Sequence, residues 1–195
     1  QFLKLHLKES WLKVINMFDN DKEPSVNELI QVAENEKILI PEFQREFVWE
    51  RLQIKLLIDS LHSDYTINSI LTWEGPDELA RRRVGGSIKE IQIPEMSKEK
   101  ITYLLDGQQR TTSLLLAFTD KSIFKRKNIR KKEQLNLFFD SGYNGDDPEL
   151  KFIYDDELIK INGDEIRLNQ FSEKEIFEKY GTRFISLKQV YKYSK

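Results

Sequence analysis

Two short runs in this chain place polar residues in patterns that suit phosphate chemistry. The first, Asp106-Gly107-Gln108-Gln109-Arg110, follows an apolar run from Ile101 to Leu105 that predicts a buried strand. It precedes Thr111 to Phe118, which predicts the first turns of a helix with Leu114, Leu115 and Phe118 on a core face. Gly107 lets the backbone turn sharply or take positive φ, and its missing side chain lets a ligand approach the main chain closely. The helix start behind it offers unpaired N–H groups and the positive end of the helix dipole, a ready site for phosphate. Arg110 adds a fork of donors suited to phosphate oxygens, and Asp106 can hold a metal-bound water, accept from a sugar or base, or fix Arg110. The plain alternative is a strand-to-helix turn in which Asp106 caps the helix and pairs with Arg110. Two glutamines and an arginine in succession are poor choices for so simple a turn beside a core.

The second run is Ile38-Leu39-Ile40-Pro41-Glu42-Phe43-Gln44-Arg45-Glu46-Phe47-Val48-Trp49, followed by Gln53 and Leu56-Leu57-Ile58-Asp59-Ser60-Leu61. Ile38 to Ile40 predicts a strand, and Pro41 ends its ladder because it has no N–H to donate. Gln44 and Arg45 then fall in a loop just past a strand end, where rigid scaffolds usually build sites. Two readings of Arg45 stay open. It forms a surface ion pair with Glu42 or Glu46, or it clamps phosphate opposite Arg110 while Gln44 reads base or sugar. Trp49 reads as a wall rather than a stacking platform.

Together the two runs resemble the DUF262 family, the GmrSD-type restriction N-terminal domain of the ParB/sulfiredoxin-like superfamily, from roughly Ser25 to Phe118. The resemblance implies an α+β fold, a small mixed β-sheet wrapped by helices. It also implies that the Asp-Gly-Gln-Gln-Arg signature binds and hydrolyses a nucleoside triphosphate, in a bacterial anti-phage or restriction protein. Residue by residue, the catalytic candidates become Asp106, Gln109 and Arg110. The nucleotide-binding candidates become Gln44, Arg45, Trp49, Gln53, Gly107, Gln108, Thr111 and Thr112. The implied cofactors are an NTP, GTP or another, and Mg²⁺ held through Asp106. The implied partner is an HNH-type nuclease domain or subunit that this chain lacks.

Several elements must position these residues. Phe2 to Phe18 carries apolar residues at helical spacing and predicts an amphipathic helix, with Asp19 to Pro24 a charged linker. Ser25 and Glu28 form a capping box that opens a helix to about Asn35, with Val26, Leu29, Ile30 and Ala33 inwards. Glu50 to His62 predicts the next helix, with Leu52, Leu56, Ile58 and Leu61 as core. Ile67 to Trp73 predicts a strand closed by a Gly75-Pro76 turn. Asp77 to Lys100 reads as a hairpin-like insertion, with Arg81-Arg82-Arg83 on a solvated face or touching DNA and a strand-like Ile88 to Ile93. Leu135 to Asp140 and Leu150 to Tyr154 predict two strands, and a second capping box, Ser172 with Glu175, opens a helix ended by Gly181. We therefore divide the chain into an N-terminal helix and linker (1–24), a core (25–120) and a C-terminal extension of the same domain (121–195).

Composition bounds the function. The 195 residues suffice for one domain with a real core. A formal charge of −2 gives no support for wholesale nucleic-acid binding, so DNA contact requires a local patch. The candidate patch runs from Lys121 to Lys132 with Lys125, Arg126, Lys127, Arg130 and Lys131 and no acid, and it supports the alternative of a DNA-binding or DNA-nicking module with nucleotide as a switch. The absence of cysteine excludes disulfides and thiolate chemistry. His6 and His62 have no ligand-spaced partners. Asp147 with Glu149 and Lys151 matches an acids-plus-lysine nuclease pattern only as far as chance allows in so charged a chain. No apolar stretch nears the roughly 20 residues of a membrane span, which gives the expectation of a soluble cytoplasmic protein. Both ends suggest an excised or incomplete chain, and a homo-oligomer is compatible with the sequence.

Overall fold

The computed structural model describes residues 25–94, 100–124 and 132–194. The expected helix Phe2 to Phe18, its linker, and Lys125, Arg126, Lys127, Arg130 and Lys131 lie outside the described residues, as does the side chain of Lys132. The first described helix, α1 (Val26–Glu34), starts where its capping box dictates. Ser25 Oγ accepts from the Glu28 N–H at 3.2 Å, and Glu28 Oε2 accepts from the Ser25 N–H at 2.6 Å. Val26, Leu29, Ile30 and Ala33 are all buried, as their spacing predicts.

Strand β1 (Ile38–Pro41) follows, then α2 (Arg51–His62), β2 (Leu71–Pro76), β3 (Arg81–Arg83) and β4 (Lys100–Asp106). These strands form one mixed sheet in the order β2-β4-β1-β3. β1 runs parallel to β4, with Ile38 opposite Thr102, and antiparallel to β3, with Ile40 opposite Arg82. A parallel pair needs a long crossover, and here the connection contains α2. Helix α3 (Gln108–Phe118) leaves the end of β4 and is buried along nearly its whole length, packed between α1 and α2.

The rest of the described chain comprises β5 (Ser122–Phe124), β6 (Lys132–Gln134), β7 (Leu137–Asp140), α4 (Pro148–Lys151), β8 (Phe152–Tyr154), β9 (Ile159–Ile161), β10 (Asp164–Ile166), α5 (Glu173–Tyr180), β11 (Phe184–Ser186) and α6 (Leu187–Ser194). β7 is the centre of an antiparallel sheet in the order β11-β7-β8. The main apolar core is continuous from Leu29 and Ile40 through Leu114 to Phe152 and Leu187. The fold is α+β.

α2 presents two working faces. Arg51, Lys55 and Asp59, one turn apart, pair with Asp156, Glu157 and Lys151, the last two at 2.7 Å each. Asp147, suggested by sequence as part of a nuclease pattern, instead caps α4 by accepting from the Glu149 N–H, and Lys151 is held by Asp59.

Five expectations are corrected. The strand read from Leu150 begins only at Phe152, because Leu150 and Lys151 close helix α4. Leu52 and Leu56 are exposed rather than core, because Ile54, Leu57, Ile58 and Leu61 carry the buried stripe of α2. β2 begins at Leu71, not Ile67, and runs through Gly75 and Pro76 instead of turning there. Ile88 to Glu90 forms a single 3₁₀ turn with its own capping box, Ser87 with Glu90, in place of a strand. Arg81 and Arg82 are buried within β3 and form no solvated or DNA-facing surface.

Candidate functional site

Because β1 and β4 are parallel neighbours, the turns beyond their carboxyl ends open on the same edge of the sheet. At the end of β4 the chain turns at Gly107, whose φ is 90°. A Cβ there would sit 2.9 Å from Ile70 Cγ1, so position and conformation both require glycine. Gly107 is also the N-cap of α3, and no side chain caps the helix. The N–H of Thr111 donates to the Gly107 carbonyl at 2.9 Å. Those of Gln108, Gln109 and Arg110 belong to the first turn, which has no intrahelical acceptor.

The two signature glutamines reach across to the β1 loop. Gln109 Oε1 accepts from the N–H groups of Val48 and Trp49 at 2.9 and 3.3 Å, while its Nε2 donates to the Glu46 carbonyl at 3.1 Å. Gln108 Nε2 donates to the Arg45 carbonyl at 2.8 Å, and Gln44 Nε2 returns a bond to the Leu105 carbonyl at 2.6 Å. An amide suits this work because one side chain offers both donor and acceptor to a loop backbone that has no ladder of its own. Gln108 and Gln109 are accordingly buried.

Arg82 holds the same loop from the other side, and nothing in its local sequence distinguishes it from Arg81 or Arg83. It is fully buried, with Nη2 donating to the carbonyls of Gln44 and Arg45 at 2.9 and 2.8 Å and Nε to Gly86 at 3.1 Å. Burial pulls its guanidinium below the ordinary arginine value, and the charge of Glu46 counteracts that. Arg81 pairs instead with Asp77, Nη2 to Oδ2 at 2.8 Å.

Between these elements lies a cleft of about 560 Å³. Trp49, just before α2, and Gln53, Leu56, Leu57 and Ser60 on α2 line one side of it, which explains why Leu56 is exposed outside the core. Thr66, Ile67 and Asn68 close one end, and Gln44, Arg45 and the turn from Asp106 to Arg110 form the facing wall. Arg45 and Arg110 thus meet on one cleft, though in different states. Arg110 donates to the carbonyls of Ile67 and Ser69 at 2.6 and 2.9 Å and approaches Asp106 Oδ2 at 3.4 Å. Arg45 is exposed and has no side-chain partner among the described residues, since Glu46 Oε1 instead accepts from the Ile88 N–H at 3.1 Å.

The remaining candidates are placed as follows. Asp106 is the one carboxylate lining the cleft among the described residues, and its side chain is 70% exposed. Gln53 Oε1 accepts from the Glu50 N–H at 2.9 Å. Trp49 is half-buried and packs on the core. Thr111 and Thr112 are buried beneath the cleft rather than lining it, and neither hydroxyl finds a hydrogen-bond partner among the described residues. Those residues contain no group of three or more His, Cys, Asp or Glu able to hold a metal. His62 packs against Phe139, ring centroids 4.9 Å apart. No described helix is long and apolar enough to cross a membrane.

The family model described as the GmrSD restriction endonuclease N-terminal domain matches residues 26–194. The uncharacterized protein MJ0686 of Methanocaldococcus jannaschii is 35% identical over 106 residues, a stretch that covers 53% of this chain and 18% of that protein.

Proposed function

The chain belongs to the family of GmrSD restriction endonuclease N-terminal domains, and from that premise we propose that its cleft binds a nucleoside triphosphate and hydrolyses it, regulating a DNA nuclease activity carried elsewhere, in an HNH-type domain or subunit. The observation that supports the reading best is an unpaired guanidinium, Arg45, beside an uncapped helix start on the same wall of one cleft. Both features favour negative charge, and neither is neutralised by a neighbour. Trp49, Leu56 and Leu57 offer an apolar wall for a base. From Gln53 to Ser60 the helix face runs about 10 Å, and Trp49 extends that wall beyond the helix start, enough to lay base, sugar and phosphates along it.

In the proposed mechanism Arg45 and the first amides of α3 hold the phosphate oxygens, where charge neutralisation and positioning do most of the catalysis. Asp106 orients the attacking water; the bond between the γ-phosphorus and the β–γ bridging oxygen breaks, giving nucleoside diphosphate and inorganic phosphate. Arg110 keeps the 67–69 loop in place as the floor of the site. A lone exposed carboxylate fits Mg²⁺ that arrives with the triphosphate, since that ion commonly takes one or two carboxylates plus phosphate oxygens. When bound it would neutralise charge on the phosphates, with Asp106 as its protein ligand.

Phosphate release from each of the four common NTPs, with and without Mg²⁺, tests the reading. Turnover of at least one is expected, lost in Asp106→Asn with the fold intact. Binding by calorimetry without release would reduce the site to a switch, and absence of both would refute it.

A further inference from the structure

We propose that Arg82 is a positioning residue: it fixes the backbone of Gln44 and Arg45 and so presents the Arg45 guanidinium to the cleft. This rests on the nucleotide reading above. The antiparallel register sets Arg82 opposite Ile40, on the buried face of β1. Its donors go to four carbonyls, those of Pro41, Gln44, Arg45 and Gly86, and to no carboxylate among the described residues. A buried guanidinium bonded to no carboxylate, with the charge of Glu46 offsetting only part of its burial, is costly, so an apolar residue would fill the site more cheaply unless the loop needs the donors. The loop does need them. The Arg45 carbonyl accepts twice, from Arg82 and from Gln108, each at 2.8 Å.

The acid nearest in sequence is drawn away by the same insertion that carries Arg82, because Glu46 Oε1 accepts from the Ile88 N–H and from Ser87 Oγ. Arg45 therefore combines an anchored main chain with an unengaged cation, the arrangement that makes a charged group effective without reorganisation. Arg82 touches no ligand in this account and acts through Arg45.

The experiment compares wild type, Arg82→Lys, Arg45→Ala and the double variant by calorimetric titration with each of the four NTPs, and by hydrogen exchange of the amides from 43 to 48. Lysine keeps the charge but cannot reach four carbonyls. Arg82→Lys should weaken binding about tenfold, as should Arg45→Ala, the scale of one charge-assisted contact. The double variant should bind no more weakly than Arg45→Ala alone, and exchange at 43–48 should quicken in Arg82→Lys. Losses that multiply in the double variant, or exchange unchanged from wild type, would overturn the proposal. If wild type binds none of the four nucleotides, the functional reading fails, and exchange alone decides whether Arg82 holds the loop. Arg82→Gln serves as second variant, and failure of both to fold would make Arg82 wholly structural and end the inference.

Discussion

The cleft and the C-terminal half are both held by charged and polar side chains, but in opposite manners. Around the cleft, Arg82 and Arg110 spend their donors chiefly on main-chain carbonyls, helped by Gln108 and Gln109. In the C-terminal half, cations meet carboxylates: Lys151 with Asp59, Lys55 with Glu157, Arg183 with Asp140, and Lys188 with Asp120. A carboxylate pair cancels charge, whereas a guanidinium bonded to carbonyls keeps it. Among the described residues that line the cleft, Arg45 and Arg110 therefore stand against Asp106 alone, and a chain of net charge −2 acquires one locally positive corner. Net charge says little about a site when the anchoring chemistry differs by region.

Substitution breaks or sharpens this contrast. Arg82→Met should have the largest effect, about 3–5 kcal/mol lost in urea unfolding, because four carbonyls, most of them partly buried, lose their donor together and no second substitution can remove them. Gln109→Leu comes next at about 2–3 kcal/mol, since it strips partners from Glu46, Val48 and Trp49 together. Lys151→Met should cost about 2 kcal/mol by leaving Asp59 uncompensated, yet Asp59→Leu with Lys151→Met should recover to within about 1 kcal/mol of wild type. That rescue is the sharpest division between the two halves; failure of the double variant to recover would erase it.

The smaller effects test charge directly. The hydrogen bond from Arg51 leads the causes that hold the Asp156 carboxyl below its usual range. A depressed folded-state value contributes stability above the unfolded value, near 3.9, and loses it as pH falls through the folded value. Both partners are well exposed, so Arg51→Met should cost under about 1 kcal/mol at pH 7 and flatten the acid side of the stability profile below pH about 4. Arg45→Ala should change stability by no more than about 0.5 kcal/mol, a surface value, while NTP affinity falls about tenfold.

Much of this fold is legible in local chemistry. Ser25 with Glu28 and Ser172 with Glu175 mark helix starts that form as read, and Gly181 ends its helix with positive φ. Leu114, Leu115 and Phe118 are buried as their pattern requires. What fails is what depends on distant partners. Leu56 reads as core because helical periodicity cannot separate a face that lines a cleft from one that fills an interior. Ile67 to Ile70 reads as strand by composition, but Arg110 binds its carbonyls before any ladder begins. The Ser87 and Glu90 box is a readable signal that the spacing of Ile88, Ile91 and Ile93 obscures. At the candidate site, the strand-turn-helix is legible, and one of the two open readings of Arg45 is the one that sets it on a cleft with Arg110. The roles of the glutamines and of Arg82 are not legible, because each is defined by a backbone brought close only by the sheet.

The parallel pairing of β1 with β4 has a consequence for finding related clefts. Gln44 and Leu105 are 61 positions apart in the chain and bonded in space. Adjacent strands, about 4.8 Å from each other, set that proximity, while positions 49–68 between them line the cleft and β2 and β3 complete the sheet, so only the loops joining these elements are free to change length. A pattern search that fixes the gap between Pro-Glu-Phe-Gln-Arg and Asp-Gly-Gln-Gln-Arg will overlook proteins whose loops have grown or shrunk. A search that asks only for the order of the two words, each at the end of a strand, will retain them.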